Sequence, residues 1–389
     1  YDRLDRRKTS KDPLNNITTF NYDPASNLIS LIDAKNNATL YGYDAIDRRT
    51  TETYPNGDQR SMAYDPVGNL VGRTEPNGYT ITYTYDAADR LTSRNYPNGT
   101  NETFTYDNVG QILTATNPHA AVIMTYDPAD RLLSETLNGK TTAYQYNTNT
   151  RKRLLTYPGG KQIEETYDQR GRLDRIHDMA LPGTPLSAFE YDPGNRLLRK
   201  VFQNNTNTEY AYDLNSNVLQ INHMLSSLVR YEYAYDNNDN KLYEKNNYQP
   251  TKSNQYLYDV YNRLTRFKKG TLSGVNIPAP SEDIQYNLDA VHNRQTVQAT
   301  AGTTTYTTNN LNQYTMLSGG VTATLNYDNN GNLLSDGAQS YTYDYENRLV
   351  TVNNGATGKY FYDALGRRIL KIAGTDSTFY FYAQLRFVE

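Results

Sequence analysis

Four histidines, His119, His177, His223 and His292, are all the imidazoles in 389 residues, and no two stand at metal-ligand spacing. A metal site or an acid-base pair needs convergent groups, so the four read as exposed loop residues. Cysteine is absent, which removes disulfides, thiolate metal sites and a cysteine nucleophile. Asp236-Asn237-Asn238-Asp239-Asn240 and Asp328-Asn329-Asn330-Gly331-Asn332 open like calcium loops, but Asn247 and Gln339 stand where the closing glutamate belongs. Glycines sit in turn contexts, nearly all singly, and none opens a phosphate-binding helix. Carboxylates are plentiful, yet they recur once per sequence repeat, whereas a catalytic pair is needed once. The sequence therefore assigns no catalytic, cofactor-binding or metal residue and reads as a non-enzyme.

The abundant side chain is tyrosine, with 38 copies beside 9 Phe and no Trp. Mean hydropathy is −0.82, but 12% aromatic content and a near balance of 42 acidic and 39 basic residues are not the composition of a disordered chain. A net charge of −3 argues against a nucleic-acid partner. No run of 18 apolar residues exists, so no membrane-spanning helix is expected. Tyr1 to Arg7 do not read as a signal peptide. The chain opens on a Tyr-Asp pair, inside what proves to be a repeat, and is expected to be an internal or processed portion of something longer. Asn16-Ile17-Thr18, Asn37-Ala38-Thr39, Asn98-Gly99-Thr100 and Asn101-Glu102-Thr103 would be glycosylation acceptors in a eukaryotic secretory pathway.

The elements that position these side chains follow from a repeat. Tyr1-Asp2, Tyr22-Asp23, Tyr43-Asp44, Tyr64-Asp65, Tyr85-Asp86 and Tyr106-Asp107 recur every 21 residues. Looser copies follow at Tyr126-Asp127, Tyr167-Asp168, Tyr191-Asp192, Tyr212-Asp213, Tyr235-Asp236, Tyr258-Asp259, Tyr327-Asp328, Tyr343-Asp344 and Tyr362-Asp363, with Tyr146-Asn147 and Tyr286-Asn287 as degenerate forms. Ile81, Tyr83 and Tyr85 alternate with Thr80, Thr82 and Thr84, the period-two pattern of a strand. Four residues past the tyrosine stand Ser26, Asp47, Gly68, Asp89, Gly110, Asp130, Gly171, Asn195, Gly331 and Gly366. Most are types that tolerate positive φ, so a tight turn with a left-handed last position is expected. Leu28, Leu70, Leu91, Ile112, Leu132 and Leu173, two residues on, begin the returning strand. Pro55-Asn56-Gly57, Pro76-Asn77-Gly78, Pro97-Asn98-Gly99 and Pro158-Gly159-Gly160 supply a second turn half a period away. Each unit is thus a hairpin whose tyrosine and leucine face must be buried by stacking on the next. Arg6, Arg48, Arg90, Arg131, Arg172, Arg196, Arg263, Arg348 and Arg367 follow the left-handed position and are expected to form a lattice of ion pairs with Asp rows.

These units closely resemble the RHS/YD-repeat family, whose pattern Tyr362-Asp363-Ala364-Leu365-Gly366-Arg367-Arg368-Ile369 and Tyr167-Asp168-Gln169-Arg170-Gly171-Arg172-Leu173 carry. The resemblance implies an all-β fold, a YD-repeat β-solenoid of stacked antiparallel hairpins coiling into a hollow tube or shell. It also implies a secreted or cell-surface location, as in polymorphic toxins, toxin-complex shell subunits, wall-associated contact-inhibition proteins and adhesive teneurin ectodomains. In toxin members the shell encloses a C-terminal effector that a core segment releases by self-cleavage. Phe379 to Glu389 looks like the segment preceding such a core, and no Asp-Pro-x-Gly-rich stretch follows it here. Encapsulation and cleavage are therefore not credited to these residues.

Residues 1–389 are expected to form one array, regular over 1–177, with irregular loops at 178–188 and 268–282. The leading function is a non-enzymatic shell or tube wall whose partners are flanking parts of the same longer chain or further copies of itself. The alternatives are an extracellular adhesion module recognising glycan or protein, for which Tyr243, Tyr248 and Tyr256 are candidate contacts, and a subunit of a head-to-tail tube.

Overall fold

In the computed structural model the described residues are 1–225, 227–383 and 386–387. The closing unit from Phe379 to Glu389 therefore falls partly outside the described residues. Helix among the described residues is limited to two short 3-10 turns, Pro250–Lys252 and Asn353–Gly355. Thirty strands between Thr9 and Thr324 form one antiparallel sheet in which each strand pairs with its neighbours in the chain. Beyond it lie a pair, Asn326–Tyr327 with Leu333–Ser335, and a five-stranded sheet from Tyr341 to Phe379. Longer connections occupy 179–186 and 271–281, and a further break in strand pairing falls between Ser335 and Tyr341.

The turn chemistry repeats faithfully. Strand Thr80–Tyr85 pairs with Leu91–Asn95, and the register slips between Thr84 and Tyr85. Asp86 donates its N–H to Arg90 O at 2.9 Å, Asp89 donates to Asp86 O at 3.1 Å, and Asp89 has φ +58°. This is a four-residue turn closed by a left-handed bulge residue. The opposite rim uses the same device: Tyr54 N–H bonds Asp58 O at 2.8 Å, Gly57 N–H bonds Tyr54 O at 2.9 Å, and Gly57 has φ +90°. It also forms where the Pro-Asn-Gly signal is missing, as at Asp33 to Asn37 with Asn36 at φ +66°. Asp89→Val places a β-branched residue in the left-handed region and should cost about 1–2 kcal/mol, whereas Asp89→Gly should cost little. Urea melts of the two variants measure the difference.

One sequence expectation needs correcting. The bulge before Leu288 and the bond from Asp289 N–H to Asn293 O make Leu288-Asp289 the repeat position, not Tyr286-Asn287. Thr308-Asn309 is a further repeat that carries no tyrosine.

Burial also falls one step away from the expected ladder. Ile81 and Tyr83 are 0% and 8% exposed, while the repeat residue Tyr85 is only half-buried. Its ring lies at the bulged end of the strand, and its hydroxyl donates to Leu70 O of the preceding hairpin at 2.9 Å. Tyr43, Tyr106, Tyr191, Tyr212 and Tyr258 make the same bond to Leu28, Leu91, Leu173, Leu197 and Lys241. The repeat tyrosine ties hairpin to hairpin, and in the repeats of Tyr85 and Tyr106 the residue two before it, Tyr83 or Phe104, fills the core.

The sheet winds back over itself. Hydrogen bonds join residues 245 to 279 positions apart, from Asn312 with Asp33 to Asn117 with Tyr362. Every such bond sets a Tyr-Asp-type turn of the later winding against an opposite-rim turn, or its adjoining strands, of the first. The larger buried cluster spans this joint, with Phe104, Ala115, Ala120, Val122 and Leu137 on one side and Ala364 and Ile369 on the other.

Candidate functional site

Each Tyr-Asp turn is a small polar machine. Asp86 Oδ1 accepts from the N–H of Ala88 and Arg90, and Asp86 Oδ2 accepts from Arg90 Nε at 2.7 Å. The Asp-Arg pair therefore closes within one turn; it does not link Asp rows of successive repeats into the expected lattice. The arginine reaches onward with its other nitrogen instead. Arg6, Arg48 and Arg196 donate to the backbone carbonyls of Asp23, Asp65 and Asp213 at 2.8, 2.7 and 2.8 Å. Their guanidinium groups lie 4.8, 4.9 and 4.9 Å from the ring centres of Tyr22, Tyr64 and Tyr212, contacts worth about 0.5–1 kcal/mol each where exposed. Asn replaces Arg at Asn27, Asn69 and Asn217, and there the amide donates to the next turn's Asp47, Asp89 and Asp239.

Gly68, Gly110, Gly171, Gly331 and Gly366 all hold the left-handed position, at φ between +76° and +106°. Leu70, Leu91, Leu132 and Leu173 open the returning strands, as do their counterparts elsewhere. In the remaining repeats Arg131, Arg172, Arg263, Arg348 and Arg367 bond Asp127, Asp168, Asp259, Asp344 and Asp363. Asp107 accepts from the Gln111 N–H, and Asp328 and Asp236 accept from Asn332 and Asn240. Both calcium-like runs thus spend their carboxylates on their own turns, and no metal-type cluster of His and carboxylate forms among the described residues. His119 and His292 are exposed in turns, but His177 and His223 lie half-buried within strands, where strand alternation rather than loop chemistry places them.

Several carboxylates of this row, Asp2, Asp44 and Asp127 among them, are held below their ordinary range. The Arg6 side-chain hydrogen bond leads in bringing Asp2 down to about 2, the Arg131 side chain leads at Asp127, and the Arg48 backbone N–H leads at Asp44. A depressed folded pKa contributes stability that is present above the unfolded value, about 3.9 for Asp, and disappears as pH falls through the folded value. Denaturation midpoints should accordingly hold steady from neutral pH to about 5 and fall steeply between about 4 and 2, which a pH series of urea melts checks.

At the joint, charges are buried. Glu75 and Glu102 are each 1% exposed. Glu75 meets Arg60 at 2.9 Å and Arg73; Glu102 meets Arg94 at 2.6 Å and Arg348 at 3.3 Å. Glu346 of the later winding reaches Arg73 at 3.2 Å and Arg94 at 3.5 Å. Tyr345 stacks on Tyr96 at 5.6 Å and meets Tyr79 edge-on at 4.9 Å. Burial pushes the Tyr83 phenol up to about 12 and raises that of Tyr96. Beside these rings a cleft of about 790 Å³ opens between the windings, walled by Tyr79, Tyr96, Tyr341, Tyr343, Tyr345 and Tyr360 with Asn98, Asn101 and Glu102. Of the three candidate contact tyrosines, Tyr248 is 59% exposed, while Tyr243 and Tyr256 are half-buried. The joint itself was not foreseen from sequence; its only signals are acidic residues, Glu75 and Glu102, at strand ends.

An antiparallel hairpin array that winds over its own rim is a β-solenoid wall. The RHS Repeat model matches residues 27–59 and 64–100, and the Teneurin YD-shell model matches 102–203. Those matches fall within residues 27–203, whose repeats are of the RHS/YD type. The chain is 36% identical over 107 residues to the tRNA3(Ser)-specific nuclease WapA of Bacillus spizizenii and, to the same extent, to the tRNA nuclease WapA of Bacillus subtilis. That match takes in 25% of this chain and spans 4% of either relative. In solved structures the fold is similar to TcdB2-TccC3-TEV, with TM-score 0.76 at 19% identity over 91% of this chain and 22% of that one. It is also similar to the Photorhabdus luminescens Tc holotoxin pore carrying TccC3-D651A, with TM-score 0.64 at 18% identity over 94% and 23%.

Proposed function

We propose that the chain is a stretch of wall in a secreted or cell-surface shell, a structural role in which the repeat residues perform no catalysis. The observation that carries this reading is the joint: a sheet that returns onto its own opposite rim and buries Glu102 between Arg94 and Arg348 builds a curved, self-supporting barrier. Tyr22-Asp23 and its equivalents through Tyr362-Asp363 then serve as fasteners, once per hairpin. Residues 1–389 act as a single array whose irregular connections are tolerated at the rims, and its partners are further parts of such a wall. The nuclease activity named for the Bacillus relatives belongs to those proteins, of which this stretch matches a small part.

Electron microscopy of the isolated chain tests the reading: a curved sheet around an open lumen is expected, and a solid globular particle would overturn it. A second reading, recognition of glycans, draws on the tyrosine- and asparagine-lined cleft between the windings. Failure of Tyr341→Ala to alter retention on any immobilised oligosaccharide would remove it.

A further inference from the structure

The third residue after the repeat tyrosine meets two different fates. In the first winding it is a bare aliphatic group: Leu4, Ile46, Val67 and Val109 are 64%, 65%, 75% and 69% exposed, with exposed Ala25, Ala88 and Ala129 between and beyond them. From Asp289 onward the same position is half-buried on the opposite rim, as at Val291, Leu311, Asn330, Glu346 and Leu365. The Asn77 N–H donates to Asn330 Oδ1, the Asn330 amide donates to Tyr79 Oη, and Leu365 packs on the cluster around Phe104 and Val122. This position is therefore where one winding reads the next.

The opposite rim has its own uncovered stretch, where Leu181, Leu225, Tyr248, Val275 and Val321 are each more than half exposed. One chain thus carries a free copy of each half of a joint that it also makes internally. Within the internal joint both rims are built from the same turn, so their projections recur at matching intervals there; the uncovered opposite-rim stretch keeps that turn at Phe202 to Thr206 and otherwise carries irregular connections. A partner surface with that interval is another hairpin array.

We propose that the Tyr-Asp rim of residues 1–131 docks the opposite rim, around residues 179–321, of a second copy of this chain, with Leu4, Ile46, Val67 and Val109 at its centre. The contact is heterologous, so association continues beyond a dimer unless the rotation closes. It continues an interface seen within the chain and is independent of whether the wall encloses anything.

Light scattering of the 389-residue chain over a concentration series tests this. Average mass should rise with concentration. Val67→Asp with Val109→Asp on one rim, or Leu181→Asp with Val275→Asp on the other, should weaken association by about tenfold or more without changing the circular dichroism melt. Mixing the two double variants should restore dimers and nothing larger, since each retains one intact rim. Should either pair lower the melting temperature, Ala88→Glu brings charge to the same rim at an exposed turn position. A single-chain mass at every concentration overturns the proposal. So does association undiminished in the variants, which would place the contact at the sheet edges or elsewhere. An image of a solid particle would sink the wall reading and leave the mass series standing.

Discussion

Arg367→Ala is expected to be the most damaging single change in the molecule, costing on the order of 3–5 kcal/mol, the range for removing one partner of a buried ion pair. Arg367 is 11% exposed in its side chain and bridges Asp363 at 2.8 Å, within its own turn, to Glu135 at 2.6 Å, across the joint. Asp363 and Glu135 are 0% and 3% exposed, so truncation removes the shared cation from two carboxylates held out of water. Arg6→Ala removes the same motif residue where Asp2 and Arg6 are both partly solvated and no second winding covers them. It should cost less than about 1 kcal/mol. Urea melts give the two stabilities, and limited proteolysis adds a spatial readout: Arg367→Ala should expose the segment from Tyr341 to Ala373 to cleavage while the first winding resists. Equal, small losses at both sites would mean that the joint contributes nothing to stability.

The second large effect is expected at Tyr83. Tyr83→Ala should cost about 3–5 kcal/mol as a buried aromatic truncation, since Tyr83 is 8% exposed and stands beside Ile81 at 0%. Tyr85→Ala, two residues on, removes a half-buried ring and one hydrogen bond to Leu70 O, and should cost about 1–2 kcal/mol. Tyr83→Phe should be nearly neutral. If the order of the two alanine variants reverses, the repeat tyrosine is core after all and the division of labour between the two positions is wrong.

The hairpin unit was legible in the sequence because its determinants are local. The left-handed residue is in most repeats Gly, Asn, Asp or Ser, four residues past the Tyr, and every sequence position marked that way does have positive φ, from Ser26 at +77° to Gly366 at +79°. What misled was the equation of the most regular letter with the most buried one. Tyr85 is regular because the bulge fixes where its hydroxyl lands, whereas burial belongs to the pleat face of Tyr83 and Ile81. The arginine was likewise placed against the wrong carboxylate, because across a bulged turn the aspartate four residues back is nearer than that of the next hairpin. Two repeats escaped notice, Leu288-Asp289 and Thr308-Asn309. At the second, the joint shows why a tyrosine is dispensable: Thr308 Oγ1 accepts from Lys35 Nζ at 2.8 Å across the windings.

The winding was expected only from the family resemblance, and its joint was not legible from the residues. Which hairpin lies over which depends on the small twist that each strand pair adds, summed over many pairs, and no short stretch of sequence states that sum. Glu346 beside Tyr96 and Arg94 is a consequence of geometry accumulated over 250 positions or more.

That accumulated geometry turns the number of hairpins into information. Solenoid arrays in which units touch only their neighbours can gain or lose a unit with little penalty. Here, deleting one 21-residue unit between Lys140 and Asn326 would carry every later side chain one place along the rim beneath it. Glu346 would move away from Arg73 and Arg94, and Arg367 from Glu135, although each displaced residue would keep its own hairpin intact. A unit lost from residues 1–30 would disturb none of these pairings. The chain thus behaves like a combination lock, in which the ion pairs of the joint certify that the stretch between them has the correct count.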